Sequence, residues 1–221
     1  SGRKLKQLDN AMSSGNWRKV YSRETGNRIF GETVGVVGFG WIGRAFARKC
    51  KSLGMNVLVH DPYIGEWLTT EYGVELVGKT DLLEKSDYVS LHVPHIQAGK
   101  SNIGTHHWID KKALEKMKPN AYLINTSRGP VVDEKALIAA LDSGQISGAG
   151  IDVFEEEPLA NNNPLLLMQN VICTPHVAGS SKIGWEIIRR RAGEETARLL
   201  KGKNPSVIVN PEVLGHLKFN Q

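Results

Sequence analysis

The fold of this chain is indicated by one stretch, Val34-Gly-Val-Val-Gly-Phe-Gly-Trp-Ile-Gly43. An apolar run leads directly into the pattern G-x-G-x-x-G, and a helix-like segment follows it. In such a strand–turn–helix unit Gly38 permits the tight turn, Gly40 lets backbone N–H groups approach a pyrophosphate, and Gly43 lets the helix pack on the strand. The stretch therefore predicts a dinucleotide-binding unit. The residues expected to contact the cofactor here are Gly38, Gly40, Trp41, Ile42 and Gly43.

Short apolar runs alternate with helix-like segments along the rest of the chain. Seven of these runs are predicted to be buried strands, at residues 34–37, 56–60, 74–77, 87–91, 121–125, 148–153 and 171–174. Antiparallel hairpins would need tight Asn-Gly or Asp-Gly turns, so the alternation favours parallel pairing. The predicted fold class is α/β, a doubly wound parallel sheet of the Rossmann type.

Two of the intervening segments carry clear helix signals. Ile42, Phe46 and Leu53 have the spacing of one apolar helix face, and Gly54 can end that helix. Asp133 is a candidate N-cap for a later helix. These segments supply the crossovers that parallel strands require.

Composition excludes several classes of protein. The chain has 221 residues, of which 40% are hydrophobic and 23% charged, which excludes a disordered tail, a collagen-like repeat or a heptad rod. The net charge of +5 is dispersed, so no nucleic-acid partner is predicted. No run approaches the roughly 18 apolar residues of a membrane span, so no membrane partner is predicted. Two cysteines, with no cysteine or histidine cluster at zinc spacing, predict no metal and a reducing, cytoplasmic compartment.

A carboxylate ends the second predicted strand in His60-Asp61-Pro62. Asp61 lies 18 residues after Gly43, near the offset of about 20 at which a carboxylate holds both ribose hydroxyls. A 2′-phosphate would bring like charges together there, and no arginine follows to neutralise it. NAD is therefore the predicted cofactor, with Asp61 and Pro62 in its site.

A second phosphate motif competes with the first. Residues 73–80 match the P-loop pattern G-x-x-x-x-G-K-[ST], with Lys79 as the phosphate-binding lysine. Its four variable positions, Val-Glu-Leu-Val, predict a strand, whereas a phosphate cradle needs a loop after a strand. A nucleoside triphosphatase that uses Lys79 remains an alternative, which ATP hydrolysis abolished by Lys79→Ala would support.

Three further segments lie at predicted strand ends, where an open parallel sheet places its ligand crevice. They are Asn125-Thr-Ser-Arg-Gly-Pro130, Asp152-Val-Phe-Glu-Glu-Glu-Pro158 and Thr174-Pro-His-Val-Ala-Gly179. With the glycine stretch, they resemble the D-isomer-specific 2-hydroxyacid dehydrogenase family, whose patterns N-x-[SA]-R-G, D-V-F-x-x-E-P and P-H-x-A-G they match in order. The resemblance covers roughly residues 12–211.

The resemblance implies a hydride-transfer site on a small 2-oxo or 2-hydroxy acid. His176 would donate the proton, because an imidazole has an ordinary pKa near 6.5, and Glu157 would stabilise its charged form. Arg128 would hold the substrate carboxylate with its planar fork. A structural salt bridge, a core histidine and a solvated surface charge are the alternatives for Arg128, His176 and Glu157. The residues that the resemblance adds to the cofactor site are His92, Val93, Pro94, Thr126, Ser127, Arg128, Asp152, His176, Ala178 and Gly179.

The chain departs from the family pattern in two respects. Trp41 stands where relatives usually carry a polar or basic residue, so a side-chain phosphate contact would shift to Arg44. The substrate-binding lobe of the family is largely absent, which together with the start at Ser1 suggests a fragment or a processed chain. Because this chemistry needs two lobes closing on substrate, we expect this chain alone to bind NAD and turn over poorly.

The predicted organisation has three parts. Residues 1–30 are expected to form a connecting helix or arm, and 31–180 the NAD-binding Rossmann domain. Residues 181–221, capped at Ser180 or Ser181, are expected to form a C-terminal helix and tail returning toward the missing lobe.

The family resemblance leaves the biological role open. It implies a homodimeric dehydrogenase, with a phosphorylated acid of the phosphoglycerate type among the candidate substrates. The same family includes C-terminal-binding corepressors, which use this fold for assembly and can retain the same residues. An NAD-sensing corepressor-like scaffold is therefore the second hypothesis, and NADH-dependent peptide binding would distinguish it.

Overall fold

The fold is a seven-stranded sheet, seen in a computed structural model that describes residues 2–16, 26, 28–97, 103–208 and 212. The strands are β1 Thr33–Val37, β2 Asn56–His60, β3 Glu75–Leu76, β4 Tyr88–Leu91, β5 Tyr122–Asn125, β6 Gly148–Ile151 and β7 Val171–Cys173. Every pairing is parallel and the spatial order is β3-β2-β1-β4-β5-β6-β7. The predicted doubly wound parallel sheet is confirmed, because the strand order reverses between β1 and β4.

Helices supply the crossovers between these strands. The described helices are α1 Leu5–Ser13, α2 Trp41–Ser52, α3 Glu66–Tyr72, α4 Lys79–Lys85, α5 Lys111–Lys116, α6 Glu134–Asp142, α7 Pro164–Leu167 and α8 Lys182–Leu200, with a short 3₁₀ helix at Gly129–Val131. The Asp133 side chain accepts a hydrogen bond from the Ala136 N–H at 3.0 Å, which confirms the predicted N-cap of α6. None of the helices in the described ranges has the length and apolar character needed to cross a bilayer.

Helix α2 packs through a different face from the predicted one. Ile42 and Leu53 are 71% and 53% exposed, so the prediction of an inward Ile42–Leu53 stripe is wrong. A Cβ on Gly43 would lie 2.0 Å from the carbonyl oxygen of Gly38, so the helix backbone lies directly on the strand–turn unit. Such a close approach favours small residues over large apolar ones. The buried residues of α2 are accordingly Gly43, Ala47 and Cys50.

The central strands are buried on both faces, which makes the sheet a firm support for its loops. Val34, Val36, Phe39 and Val59 belong to one buried apolar cluster. Leu82, Leu83, Leu91, Leu123 and Ile151 belong to another, larger one. Runs of apolar residues without polar alternation are typical of parallel strands covered by helices.

The chain divides after His176 into two compact units, Ser1–His176 and Val177–Gln221. The second unit contains α8, whose Gly184 N–H donates to Ser181 Oγ at 3.0 Å, so Ser181 is the cap. The predicted connecting arm contains α1, and its residues 17–25 and 27, including Trp17, lie outside the described residues. The end of the predicted tail, residues 209–211 and 213–221, lies outside them as well. The predicted domain boundaries stay predictions.

Candidate active site

Six strands end in line at one edge of the sheet. Val37, His60, Leu91, Asn125, Ile151 and Cys173 are register partners of one another in succession across the sheet. The loops that follow these residues therefore lie side by side at the carboxyl edge. Because every predicted site segment within the first unit begins at this edge, the fold brings them together.

The glycine loop leaves open space at the start of α2. Gly38 has a left-handed φ of 91°, and a Cβ on it would lie 2.6 Å from the carbonyl oxygen of His92. Gly40 is the N-cap of α2 without a side-chain cap, and a Cβ on it would meet no atom within 4 Å. Helix N–H groups facing such a space bind anions. The loop therefore fits a dinucleotide pyrophosphate.

Trp41 and Arg44 form a pair at the start of α2. The Trp41 side chain is 87% exposed, and the guanidinium carbon of Arg44 lies 5.0 Å from its ring centroid. Arg44 folds back toward the loop, with Nε 3.4 Å from the carbonyl oxygen of Gly40. This placement favours the expected shift of a phosphate contact to Arg44, which stays a prediction.

Asp61 ties the end of β2 to the glycine loop. Its Oδ2 accepts a hydrogen bond from the Phe39 N–H at 2.8 Å, and its Oδ1 accepts one from the Tyr63 N–H at 2.9 Å. Each carboxylate oxygen keeps lone pairs for further donors, as ribose hydroxyls would require. The sequence gives no local signal for the contact with Phe39, because it joins residues that follow two different strands. Pro62, next to Asp61, is exposed.

His92 begins the loop after β4 as a neutral residue. Its ring nitrogen Nε2 lies 3.0 Å from Ser90 Oγ, and its ring centroid lies 4.9 Å from that of Phe46. Burial lowers the pKa of His92 to about 4. The Val93 side chain lies against Gly38, where a Cβ would be 2.8 Å from Val93 Cγ1, so this loop packs on the glycine loop. Pro94 is exposed beside it.

Arg128 is presented by a loop that Asn125 closes. The buried Asn125 Oδ1 accepts hydrogen bonds from the N–H and Oγ of Ser127 at 3.0 and 2.9 Å, and its Nδ2 donates to the carbonyl oxygen of Arg128 at 3.0 Å. Thr126 and Arg128 are exposed, and Arg128 Nη1 donates to the carbonyl oxygen of Ser127 at 2.6 Å. Within the described part of the chain Arg128 forms no salt bridge, which argues against the structural alternative.

Glu157 and His176 form the central pair of the site. The Nδ1 of His176 lies 2.8 Å from Glu157 Oε2, and Glu157 Oε1 accepts a hydrogen bond from the Phe154 N–H at 3.0 Å. These two bonds, that from His176 first, lower the pKa of Glu157, so it is ionised at neutral pH. With Nδ1 engaged by a carboxylate, Nε2 is the ring nitrogen left to exchange a proton with a ligand.

The backbone of His176 is unusual for a residue other than glycine. Its φ is 54°, in the left-handed region, and its N–H lies 2.8 Å from the carbonyl oxygen of Asp152 and 3.1 Å from that of Thr174. His176 is half exposed, so it is not a core histidine. Left-handed residues outside glycine concentrate at functional sites.

Asp152 is a buried carboxylate that follows β6 and contacts the residues that end β5 and follow β7. It is 3% exposed, its Oδ1 accepts a hydrogen bond from Thr174 Oγ1 at 2.5 Å, and its N–H donates to the carbonyl oxygen of Asn125 at 2.9 Å. It thereby joins the ends of β5, β6 and β7. Ala178 and Gly179 belong to the second unit, so their predicted cofactor contacts stay predictions.

A mainly apolar cleft of about 640 Å³ opens beside the Glu157–His176 pair. Its walls include Phe154, Leu159 and Pro175. The pair is therefore exposed to a volume in which a small molecule could be held. In the described ranges no group of three or more His, Cys, Asp or Glu side chains could hold a metal ion.

The structure contradicts the P-loop interpretation of residues 73–80. Two of the four variable positions form β3, and Lys79 Nζ donates to the carbonyl oxygen of Trp108 at 2.6 Å. The ammonium also lies 4.2 Å from the Trp108 ring centroid, and burial lowers the pKa of Lys79. Lys79 therefore packs against Trp108 and does not belong to a phosphate-binding loop.

Comparison with known proteins gives the same assignment as the geometry. Residues 1–178 match the family model of the D-isomer specific 2-hydroxyacid dehydrogenase, NAD binding domain. The chain belongs to this family. The D-isomer-specific 2-hydroxyacid dehydrogenase resemblance inferred from the motifs is thus confirmed, and the described Rossmann unit is the NAD-binding domain of that family.

Individual relatives of this dehydrogenase domain are enzymes of the same class. It is 40% identical over 216 residues to a glyoxylate reductase of Korarchaeum cryptofilum, covering 97% of this chain and 63% of the relative. It is 36% identical over 224 residues to a D-3-phosphoglycerate dehydrogenase of Methanocaldococcus jannaschii, covering 99% of this chain and 41% of the relative. The crystal structure of D-lactate dehydrogenase with NAD+ from Lactobacillus jensenii superposes with a TM-score of 0.81 at 29% identity, over 94% of this chain and 64% of that one. The chain therefore spans at most about two thirds of the length of these relatives.

Proposed function

We propose that the complete protein is an NAD-dependent D-2-hydroxyacid dehydrogenase, and that this chain supplies its cofactor site and proton-transfer residues. The observation that carries the proposal is the 2.8 Å hydrogen bond between His176 Nδ1 and Glu157 Oε2. The pair lies at the same sheet edge as the glycine loop and Arg128. An oriented imidazole, an exposed guanidinium and a dinucleotide loop are together the components that carbonyl reduction needs.

The residues of this chain would bind the substrate carboxylate and transfer the proton, while bound NADH supplies the hydride. Arg128 would hold the substrate carboxylate through its planar fork. His176 would donate a proton from Nε2 as the carbonyl oxygen becomes negative, and Glu157 at Nδ1 would stabilise the imidazolium before the transfer. In the oxidative direction the same nitrogen would accept the hydroxyl proton.

The proposed cofactor site follows the carboxyl edge of the sheet. Asp61 would accept hydrogen bonds from the ribose hydroxyls, and the N–H groups after Gly40 would bind the pyrophosphate. Asp152 would accept from the nicotinamide carboxamide. The other proposed cofactor contacts are Gly38, Trp41, Ile42, Gly43, Pro62, His92, Val93, Pro94, Thr126, Ser127, Arg128, His176, Ala178 and Gly179.

The test measures whether the complete protein reduces a panel of 2-oxo acids. The oxidation of NADH reports the rate of each reaction. The panel includes glyoxylate, a phosphorylated acid and a branched acid. We expect His176→Asn to lower kcat by about 10²–10⁴-fold, because it removes the proton donor and leaves the glycine loop unchanged. Lys79→Ala is the control and should leave turnover unchanged.

Full turnover by His176→Asn would contradict the proposal, because it would show that another group donates the proton. Brisk reduction of a 2-oxo acid by this chain alone would overturn only the expectation that the chain turns over poorly without the second lobe. NADH-dependent capture of a peptide by a complete protein that reduces none of the acids would instead favour the scaffold hypothesis.

We further propose that the complete protein is a cytoplasmic homodimer. Both cysteines are free thiols, Cys50 buried and Cys173 partly buried, which fits a reducing compartment. The homodimer rests on the family resemblance. Light scattering after gel filtration would test it, and a monomeric mass at micromolar concentration would contradict it.

A further inference from the structure

His107 joins two loops of the candidate site from a segment that the catalytic motifs do not include. Its φ is 48°, in the left-handed region, and its N–H donates to the carbonyl oxygen of Pro130 at 2.8 Å. Its Nε2 lies 2.6 Å from Glu155 Oε1. Pro130 lies two residues after Arg128, and Glu155 lies two residues before Glu157. The residue thus connects the loop after β5 to the loop after β6.

Glu155 is held on its other side by the start of α6. Its Oε1 also accepts a hydrogen bond from the Glu134 N–H at 3.3 Å, and its own N–H donates to Glu134 Oε2 at 3.3 Å. The remaining oxygen of Glu134 accepts from Asn163 Nδ2 at 2.7 Å. The Glu155 carboxylate is held by the His107 ring and by one backbone N–H, and the Glu155 backbone is held by the Glu134 side chain. Glu155 therefore has a defined position, unlike a solvated charge.

The loop that Glu155 anchors is the one that orients the catalytic pair. Phe154 donates its N–H to Glu157 Oε1, and Glu157 Oε2 binds His176. The same loop leaves no room against Gly129, where a Cβ would lie 1.7 Å from the carbonyl oxygen of Phe154. A displacement of residue 155 would therefore also displace Glu157 and Gly129, which is the residue next to Arg128.

The contacts continue from His107 to the loop after β4. The rings of His106 and His107 stack with centroids 4.0 Å apart, and His106 Nδ1 lies 3.2 Å from His95 Nε2. Thr105 Oγ1 donates to the carbonyl oxygen of Pro94 at 2.5 Å. Residues 105–107 thus contact the loops after β4, β5 and β6, all of which carry predicted site residues.

We propose that His107 and Glu155 form a positioning pair that sets the placement of Glu157 and, through it, the orientation of His176. Neither residue is expected to touch substrate or cofactor. The inference rests on the proposed function for the roles of Glu157 and His176, and on the contacts above for the coupling. Both side chains are 35% exposed, and a polar side-chain pair so exposed adds little to stability. We therefore expect the pair to affect the placement of Glu157 more than the free energy of folding.

Two substitutions at position 107 separate contact from backbone conformation. His107→Asn suits the left-handed backbone, but its amide is too short to reach Glu155. The glutamine side chain in His107→Gln is long enough to donate to Glu155 Oε1 and should keep this hydrogen bond. Glu155→Ala removes the partner without touching the left-handed residue, and so serves as a second variant should position 107 be intolerant of change.

The measurement is the titration of the Glu157 side-chain carboxyl carbon by NMR in this chain, assigned with Glu157→Gln. In the wild type its midpoint should lie below the ordinary glutamate value of about 4.3, because His176 holds the ionised form. We expect the midpoint to rise toward that value in His107→Asn and in Glu155→Ala, and to stay at the wild-type value in His107→Gln. The double variant of His107→Asn and Glu155→Ala should rise no further than either single variant.

Each remaining result overturns the inference. An unchanged Glu157 midpoint in His107→Asn and Glu155→Ala would show that the pair does not position Glu157. Equal effects of His107→Asn and His107→Gln would show that only the left-handed backbone matters. NADH affinity measured on the same samples is a separate readout, because absent binding by the wild type would contradict the proposed function and leave the coupling intact.

Discussion

At the scale of single residues, backbone N–H groups hold two of the predicted site carboxylates in place. Asp61 accepts from the Phe39 N–H, and Glu157 accepts from the Phe154 N–H. Asn125 closes the turn that presents Arg128. Charge-assisted bonds of this kind are short and strong, so the chemical groups are oriented before any ligand arrives. A substitution at these positions changes both the chemical group and the loop.

Asp61→Ala should weaken NADH binding and relax discrimination against NADPH. The loss removes hydrogen bonds to a charged acceptor, worth about 1.5–3 kcal/mol, so the Kd for NADH should rise roughly 10- to 100-fold. NADPH should lose less, because the repulsion of its 2′-phosphate disappears with the carboxylate. Fluorescence titration of both nucleotides measures the effect. Asp142→Ala, at an exposed carboxylate that ends α6, is the control, and unchanged NADH affinity in Asp61→Ala would refute the assignment.

At the scale of secondary-structure elements, the contact between β1 and α2 decides the shape of the cofactor loop. The helix lies so close to the strand–turn unit that a Cβ on Gly43 would clash with the carbonyl oxygen of Gly38. The apolar residues Ile42 and Leu53 point away from this contact. Close backbone packing at this crossing therefore overrides the hydrophobic periodicity of α2, whereas α6 buries Leu137 and Leu141 in the ordinary way.

Gly43→Ala should destabilise the fold and abolish NADH binding together. The new Cβ would lie 2.0 Å from the carbonyl oxygen of Gly38, so the helix must move, at a cost of about 1–3 kcal/mol. The matched control is Gly193→Ala in α8, where a Cβ meets no atom within 4 Å and alanine should stabilise the helix by about 0.5–1 kcal/mol. Urea unfolding and NADH titration report the two effects. Equal stability of both variants would contradict the proposed close packing.

At the scale of the whole molecule, the parallel sheet determines which loops share an edge. Residues as distant in sequence as Gly38 and His176 come to the same edge because their strands are in parallel register through β4, β5 and β6. The same sheet buries groups whose titration makes stability depend on pH. His92 is the clearest of these, since burial lowers its pKa to about 4.

Stability should fall as the pH decreases from about 6.5 toward 4, because unfolded His92 binds a proton with an ordinary pKa near 6.5 while folded His92 resists protonation. The full contribution of neutral His92 is present above pH 6.5. Urea unfolding of the wild type and of His92→Gln, measured from pH 7.5 to 4.5, isolates this contribution as the difference between the two curves. His95→Gln, at an exposed pair, is the control. A difference that stays constant across this range would contradict the burial of a neutral imidazole.

The sequence by itself determined the strand–glycine–helix unit, the seven parallel strands and the motif residues Arg128, Glu157 and His176. It could do so because glycine spacing, apolar runs and capping residues act over a few positions of chain. Only the tertiary structure decided that Ile42 and Leu53 face outward, that Lys79 packs on Trp108, and that His107 reaches Glu155. Those outcomes depend on distances between segments up to 48 residues apart, which are set by sheet register and close packing and leave no local pattern in the chain.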